Sequence, residues 1–320
     1  MTRNTHPWIE VWPLDTISKL NIIRTRRKAK LSQDLSSHVE ELWRPKVERR
    51  WKSSWVPFVK KMSALDADHL GEFEINLGVM AYKEIEGVND SIEKGLPFAP
   101  RLRFNPCLSV GFITATKDGK VIFQRRPENV HCPNVLIHEP CGYMTSLAFA
   151  PRAECDRPEY ADDPRLFSLK AQLDYRKNEI ARTIGVAPEA VTYQIEQDLL
   201  GCGWKTIEMY FSSTGIIDAK ERELRIPEKG EFFFVPFERL RALIYNQGRL
   251  SQVDPAGYKP KDPREIPLID ESLAGLIWGY EKLTGERLDI DETVERLSKE
   301  GLEIRVHDTS PGKSYDFSFD

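Results

Sequence analysis

The chain has 320 residues, is 40% hydrophobic and 30% charged, and carries a formal net charge of −4. That balance reads as soluble and globular, with room for one large or two modest domains. It excludes a global electrostatic pull toward nucleic acid or an anionic membrane, and no apolar run approaches the roughly 18 residues that span a bilayer.

The opening residues, Met1 to Trp8, lack the apolar core and cleavage site of a secretion signal. The cysteines are Cys107, Cys132, Cys141, Cys155 and Cys202. An odd, sparse set favours reduced thiols over a disulfide framework, so a cytoplasmic location is expected.

Residues 1–100 form an N-terminal basic, Trp-rich extension. Five of the seven tryptophans fall there, and residues 24–61 hold twelve Lys/Arg against four Asp/Glu. Leu35, Val39, Leu42 and Val47 predict helix within 32–52. Alternation predicts a strand over 73–85. Pro97 and Pro100 mark a joint. Cations interleaved with aromatics suit single-stranded nucleic acid, but Glu40, Glu41 and Glu48 break the patch and disfavour that partner. Irregularly spaced tryptophans suit domain packing or a homodimer through this region.

Residues 101–285 are the second unit. Strand-like runs at 108–115 and 121–126 flank Lys117-Asp118-Gly119-Lys120, a hairpin signal. Glu139-Pro140-Cys141-Gly142 follows, then an acidic, proline-containing segment over 151–164. Asp163-Pro164 is a helix start, and Gly185 closes that helix. Strands are predicted over 191–197 and 206–212. A strand running into a helix is predicted at 231–240, and a helix over 271–283. The tail, 286–320, offers a helix over 291–299 and a strand over 302–306. From Thr309 the chain is expected to be loose.

The order of strand, Asp-Gly hairpin, strand ending in Arg125-Arg126, Pro-x-Gly turn and Gly-terminated helix resembles the Nudix hydrolase superfamily. The resemblance implies an α/β fold: a Nudix-type α/β/α sandwich with a mixed sheet, here with an N-terminal extension. It also implies carboxylates on one helix face that hold Mg²⁺ or Mn²⁺ against a diphosphate, polarise phosphorus and generate hydroxide.

The family's signature is a Gly, a Glu, an Arg-Glu pair, a Glu-Glu pair and a closing Gly. Aligned on Gly185, the Arg-Glu pair falls on Asn178-Glu179, the Glu-Glu pair on Arg182-Thr183 and the first Glu on Lys170. Only Glu179 remains, so the box is degenerate. The interval from Gly142 to Asn178 is also longer than the family's. Asp174 lies about 140° round the helix from Glu179 and does not share its face. The candidate catalytic and metal-ligating residues are therefore Glu179, Glu139 and Glu208, with Glu196 a neighbour of the last. Arg125, Arg126 and Arg182 are the candidate phosphate ligands. Strand alternation points Arg125 and Arg126 to opposite faces, so one of the two is expected to serve. Arg182, one turn from Glu179, can also pair with it. His131, Cys132, His138 and Cys141 are dense in soft ligands but match no standard zinc spacing.

Three readings remain open. One is atypical metal-dependent hydrolysis of a nucleoside-diphosphate-linked ligand. Another is a catalytically inactive Nudix-fold nucleotide-binding or scaffold protein that needs no cofactor. The third is metal-independent glycosidic or isomerase chemistry with Glu179 as general base. A nucleotide-type small molecule is the expected ligand in the first two, and no membrane partner is expected.

Overall fold

The computed structural model describes residues 7–14, 17, 19–48, 55–64, 72–99, 104–126, 135–138, 141–143, 169–193, 198–204, 208–225, 231–253 and 267–317. Strands β1 (Trp8–Pro13), β2 (Lys19–Lys28), β3 (Trp55–Ala64) and β4 (Glu72–Ala81) lead into β5 (Asn105–Thr116) and β6 (Lys120–Arg125). The short β7 (Leu136–His138), β8 (Cys141–Tyr143) and β9 (Val191–Tyr193) follow, then β10 (Leu199–Gly203) and β11 (Glu208–Ile217). The set closes with β12 (Phe232–Pro236), β13 (Glu303–Val306) and β14 (Ser314–Asp316). The helices are α1 (Gln33–Glu48), α2 (Tyr82–Lys94), α3 (Leu169–Ile184), α4 (Phe237–Tyr245), α5 (Leu250–Val253), α6 (Asp270–Thr284) and α7 (Ile290–Lys299).

The strands join one mixed sheet, with the main path β13-β1-β10-β11-β5-β3-β4-β2. Its spine is the long parallel pair β5–β11, from Asn105–Glu208 to Thr116–Ile217. Both strands are almost wholly buried, as expected of a parallel pair covered on both faces.

Side-chain parity shows what covers each face. On β5 and β6, Ile113, Ala115, Val121 and Phe123 share a core with Leu273, Leu276, Ile277 and Tyr280 of α6. The alternate residues turn the other way. Ile122 packs with Ile180, Ala181 and Ile184 of α3. Leu108, Val110 and Phe112 pack with Val59 and Met62 of β3 and with Phe73, Ile75 and Leu77 of β4. Helices thus lie on both faces of a mixed sheet, the expected α/β/α class.

The Asp118-Gly119 hairpin forms as predicted, with Gly119 at φ +75° where a side chain would be strained. The strand-to-helix step at β12–α4, the α6 helix, α7 and β13 also fall where the sequence placed them. Asp289 caps α7 by accepting from the Glu292 amide at 3.0 Å.

Other expectations need correction. The strand predicted over 73–85 ends at Ala81, and α2 begins at Tyr82. The Glu84 carboxylate accepts from the Ala81 amide at 2.7 Å, which fixes the turn into the helix. The tail after Thr309 is not loose: Ser314–Asp316 pairs with β3, and Phe317 is buried. Strands β1 and β10 were not anticipated; they pair antiparallel, while β1 pairs parallel with β13. Trp12 and Trp43 serve the chain's own core, and Trp12 stacks on His307 at 4.3 Å between ring centres. The predicted helix start at Asp163-Pro164 and residues 194–197 lie outside the described residues. No helix among the described residues is long and apolar enough to cross a membrane.

Candidate functional site

The strand ends decide which candidate residues can meet. Strands β5 and β11 begin at the same end, where Asn105 pairs with Glu208. Helix α3 packs at the other end: Ile180, Ala181 and Ile184 share a core with Ile217 and Ala219. Residues 208 to 217 span about 30 Å of extended chain. The helical rise from Glu179 to Ile184 recovers at most about 8 Å of that. The structure therefore does not bring Glu179 and Glu208 together. Glu139, Glu196, His131 and Cys132 lie outside the described residues.

Glu179 is a third exposed and already has a cation. Arg176, one turn earlier and almost wholly buried, donates from Nη1 to Glu179 Oε2 at 2.5 Å. The pairing expected from Arg182 does not form among the described contacts. Arg182 is exposed on the helix surface.

Arg125 and Arg126 have different surroundings. Arg125 is buried, lies 2.9 Å from Glu231 in an ion pair and sits over the Phe233 ring at 5.3 Å. Its guanidinium is thereby occupied by the β12 side of the sheet. Arg126 is half-buried, donates its backbone N–H to Val135, and makes no ion pair among the described residues.

Glu208 is buried at the start of β11. Its Oε1 accepts from Asn89 Nδ2 at 2.9 Å. Asn105 in turn donates to Asn89 Oδ1 at 2.8 Å, and its own Oδ1 accepts from the Cys107 amide at 3.2 Å. This chain of amides runs from α2 to β5 and fixes the carboxylate. A buried polar network holds geometry when each member is bonded.

Tyr82 reports what surrounds this end. Its pKa is pushed up to about 12, first by burial, then by the Glu86 and Glu208 carboxylates, with Arg126 acting in the opposite sense. Glu208 and Arg126 thus both act on one phenol. Trp43 meets that ring edge-on at 6.1 Å, and Lys46 pairs with Glu86.

Arg126 also acts on a second polar group, His138. His138 is fully buried; its Nδ1 lies 2.8 Å from Ser272 Oγ, and its amide donates to the same oxygen at 2.9 Å. Its Nε2 faces Glu271 at 3.6 Å, too long for a hydrogen bond. Burial, aided by Arg126, lowers the imidazole pKa to about 3, so it is neutral. The ring fits only because residue 111 is glycine: a Cβ there would stand 2.0 Å from His138 Nε2.

Tyr82, Asn89, Asn105, Glu271 and Ser272 were not singled out from the sequence. Asn89 was findable: it shares the helical face of Ile85, Val88 and Ile92, where a polar residue needs a partner. The predicted strand ran to residue 85 and no helix was predicted beyond it, so the face was not read. Among the described residues, no group of three or more His, Cys, Asp and Glu is arranged to hold a metal.

No family model matches the chain, and no curated protein matches it. Among solved structures, it is similar to DR0079 from Deinococcus radiodurans, at 15% identity over 51% of this chain and 90% of that one, with a TM-score of 0.29. It is also similar to RenU, a Nudix hydrolase from M. smegmatis, at 12% identity over 57% of this chain and 88% of that one, with a TM-score of 0.28. Overlap at this level assigns no activity; the side-chain geometry bears on function.

Proposed function

We propose that this chain is a divergent Nudix-type protein that binds a nucleoside-diphosphate-linked ligand at the strand end around Arg126, with Glu179 outside the chemistry. The observation that carries the reading is the contrast among the arginines. Arg125 is closed on Glu231 and Arg176 on Glu179, while Arg126 is half-buried with no ion pair among the described residues. A guanidinium in that setting suits bidentate capture of a phosphate. The Arg126 charge also acts on Tyr82, whose phenol is hydrogen-bonded to Glu86.

A metal centre on Glu179 does not fit the residues described. A hard divalent cation needs several carboxylates on one side, whereas Glu179 is neutralised by Arg176 and lies toward the far end of the sheet from Glu208. A second reading is favoured by one observation: Glu208 acts on the same phenol as Arg126. In that reading Mg²⁺ or Mn²⁺ is held by Glu208 with Glu139, and the bound phosphoanhydride is hydrolysed.

The test is calorimetric binding of ADP-ribose, NAD, nucleotide sugars and nucleoside triphosphates, followed by turnover of each with Mg²⁺, Mn²⁺ or EDTA. Binding that Arg126→Ala weakens tenfold or more, and Glu179→Gln leaves unchanged, supports the proposal. Metal-dependent turnover lost in Glu208→Gln selects the second reading. Turnover lost in Glu179→Gln overturns both.

A further inference from the structure

The main path of the sheet ends at β13, which pairs parallel with β1 and with no other strand among the described residues. Backbone alternation shows which of its groups remain. The Glu303 amide donates to the Pro7 carbonyl, and the His307 amide to that of Val11. Bonds in a parallel pair fall on alternate residues, so 303, 305 and 307 face β1. The peptide groups of Ile304 and Val306 point outward, and such an edge is a template for a further strand. The register with β1 is unbroken by a bulge, and the sequence Glu-Ile-Arg-Val holds no proline to blunt the edge.

Alternation also sorts the side chains. Leu302 and Ile304 enter the core that Leu297 of α7 shares. Val306 is next on that face and is left 47% exposed. The opposite face carries Glu303 and Arg305, which pair at 2.5 Å, with Arg305 also 3.8 Å from Glu10 of β1. Both charges keep a third or more of their side chains in solvent. Helix α7 packs beside β13. Its outer charges are mixed: Lys299 pairs with Glu295, and Arg296 with Glu300. That helix therefore sets up no field of one sign against a second copy of the chain.

Three occupants of the edge can be weighed. An apolar strand covers Val306 but desolvates Glu303 and Arg305 with no opposite charge in return. A strand of one charge meets a like charge at one of those two positions. A second β13, laid antiparallel about Ile304, brings Glu303 opposite Arg305 of the second copy and Arg305 opposite Glu303. The same register sets Val306 against Leu302 and lets Ile304 exchange amide and carbonyl with its equivalent. This contact is self-complementary, so two copies close it with two-fold symmetry. We propose that β13 is the contact of a homodimer in which the two β13 strands pair antiparallel and the sheet runs on through both chains. The contact lies four strands along the path from β5 and is independent of the ligand reading at Arg126.

The test is sedimentation velocity of the full chain from about 1 to about 100 μM, where mass action shifts a monomer–dimer equilibrium. Val306→Pro and Glu303→Lys are run in parallel, each checked for folding by its melting curve. Val306→Pro removes an outward amide and leaves the bonds to β1 in place, as proline at an edge position allows. Glu303→Lys sets a like charge opposite Arg305 of the second copy. The wild type is expected to dimerise within this range, and each variant to need a concentration about tenfold higher or more. If Val306→Pro does not fold, Glu303→Lys, a change at a partly exposed charge, decides. The proposal is overturned if the wild type stays monomeric throughout. It is equally overturned if either folded variant dimerises as the wild type does, because the contact then lies on another surface or in another register.

Discussion

Arg176 closes on Glu179 across a single helical turn, Nη1 to Oε2 at 2.5 Å, with the arginine buried and the glutamate only a third exposed. That pair holds the Glu179 carboxylate against the surface of helix α3, its own element. Glu179→Gln should therefore cost about 1 kcal/mol of stability, the scale of one charge-assisted bond in partial contact with solvent. Arg176→Gln should cost a comparable amount, and the double variant less than the sum, because the two share one interaction. Urea denaturation of the four proteins measures this. Strict additivity would show that the pair contributes nothing.

Tyr82 should ionise near pH 12, against an ordinary value of 10.0. Because its pKa rises on folding, the folded state retains a proton that the unfolded state releases above pH 10. The stability it contributes is present below pH 10 and is lost as pH climbs toward 12. Removing the Glu208 charge by Glu208→Gln should lower the Tyr82 pKa, and Arg126→Ala should raise it. Tyrosine-selective carbon NMR titration reads both shifts. No movement in either variant would mean that Glu208 and Arg126 do not share that phenol.

His138 gives the acid limit. Its folded pKa is near 3, against 6.5 when unperturbed, because burial disfavours the charged ring. Between those values the unfolded chain binds a proton that the folded chain refuses. Stability therefore falls as pH drops from about 6.5, by about 1.4 kcal/mol per pH unit for this one group. His138→Gln should flatten the pH dependence of urea unfolding by about one proton between pH 6 and 4. An unchanged slope would show that His138 is protonated in the fold.

Gly111→Ala should be among the most damaging single changes at this end of the sheet. The added methyl would stand 2.0 Å from His138 Nε2 and 2.9 Å from Glu271 Oε1, and neither side chain has open space. A loss of about 1–3 kcal/mol is expected from overpacking, read as a fall in melting temperature. A Gly111→Ala protein with wild-type stability would mean that the imidazole can move aside.

The local elements were legible where the signal is short-range. The hairpin at Asp118-Gly119, the helix stopped by Gly185, the Phe232–Pro236 strand feeding a helix and the apolar stripe of α6 are each set by turn chemistry or periodicity within a few residues. The boundary at Ala81–Tyr82 was missed because the alternation of β4 runs smoothly into the first residues of α2. The capping contact from Glu84 is visible only in three dimensions.

The candidate site was legible as residue types and not as partners. Sequence alone offered Glu179 as a candidate carboxylate and placed two arginines at the end of a strand, because residue types and local patterns need no coordinates. It did not settle which arginine is open. That depends on β12 bringing Glu231 and Phe233 to Arg125, a contact between residues more than one hundred positions apart in sequence. Likewise, the pairing of β1 with β10 and β13 and the amide chain from Asn89 to Glu208 exist only after the chain closes on itself. Backbone propensity acts over a handful of residues, so sequence fixes elements and chemical inventory. Ion pairs, buried networks and cavities depend on long-range packing, which only the tertiary structure decides.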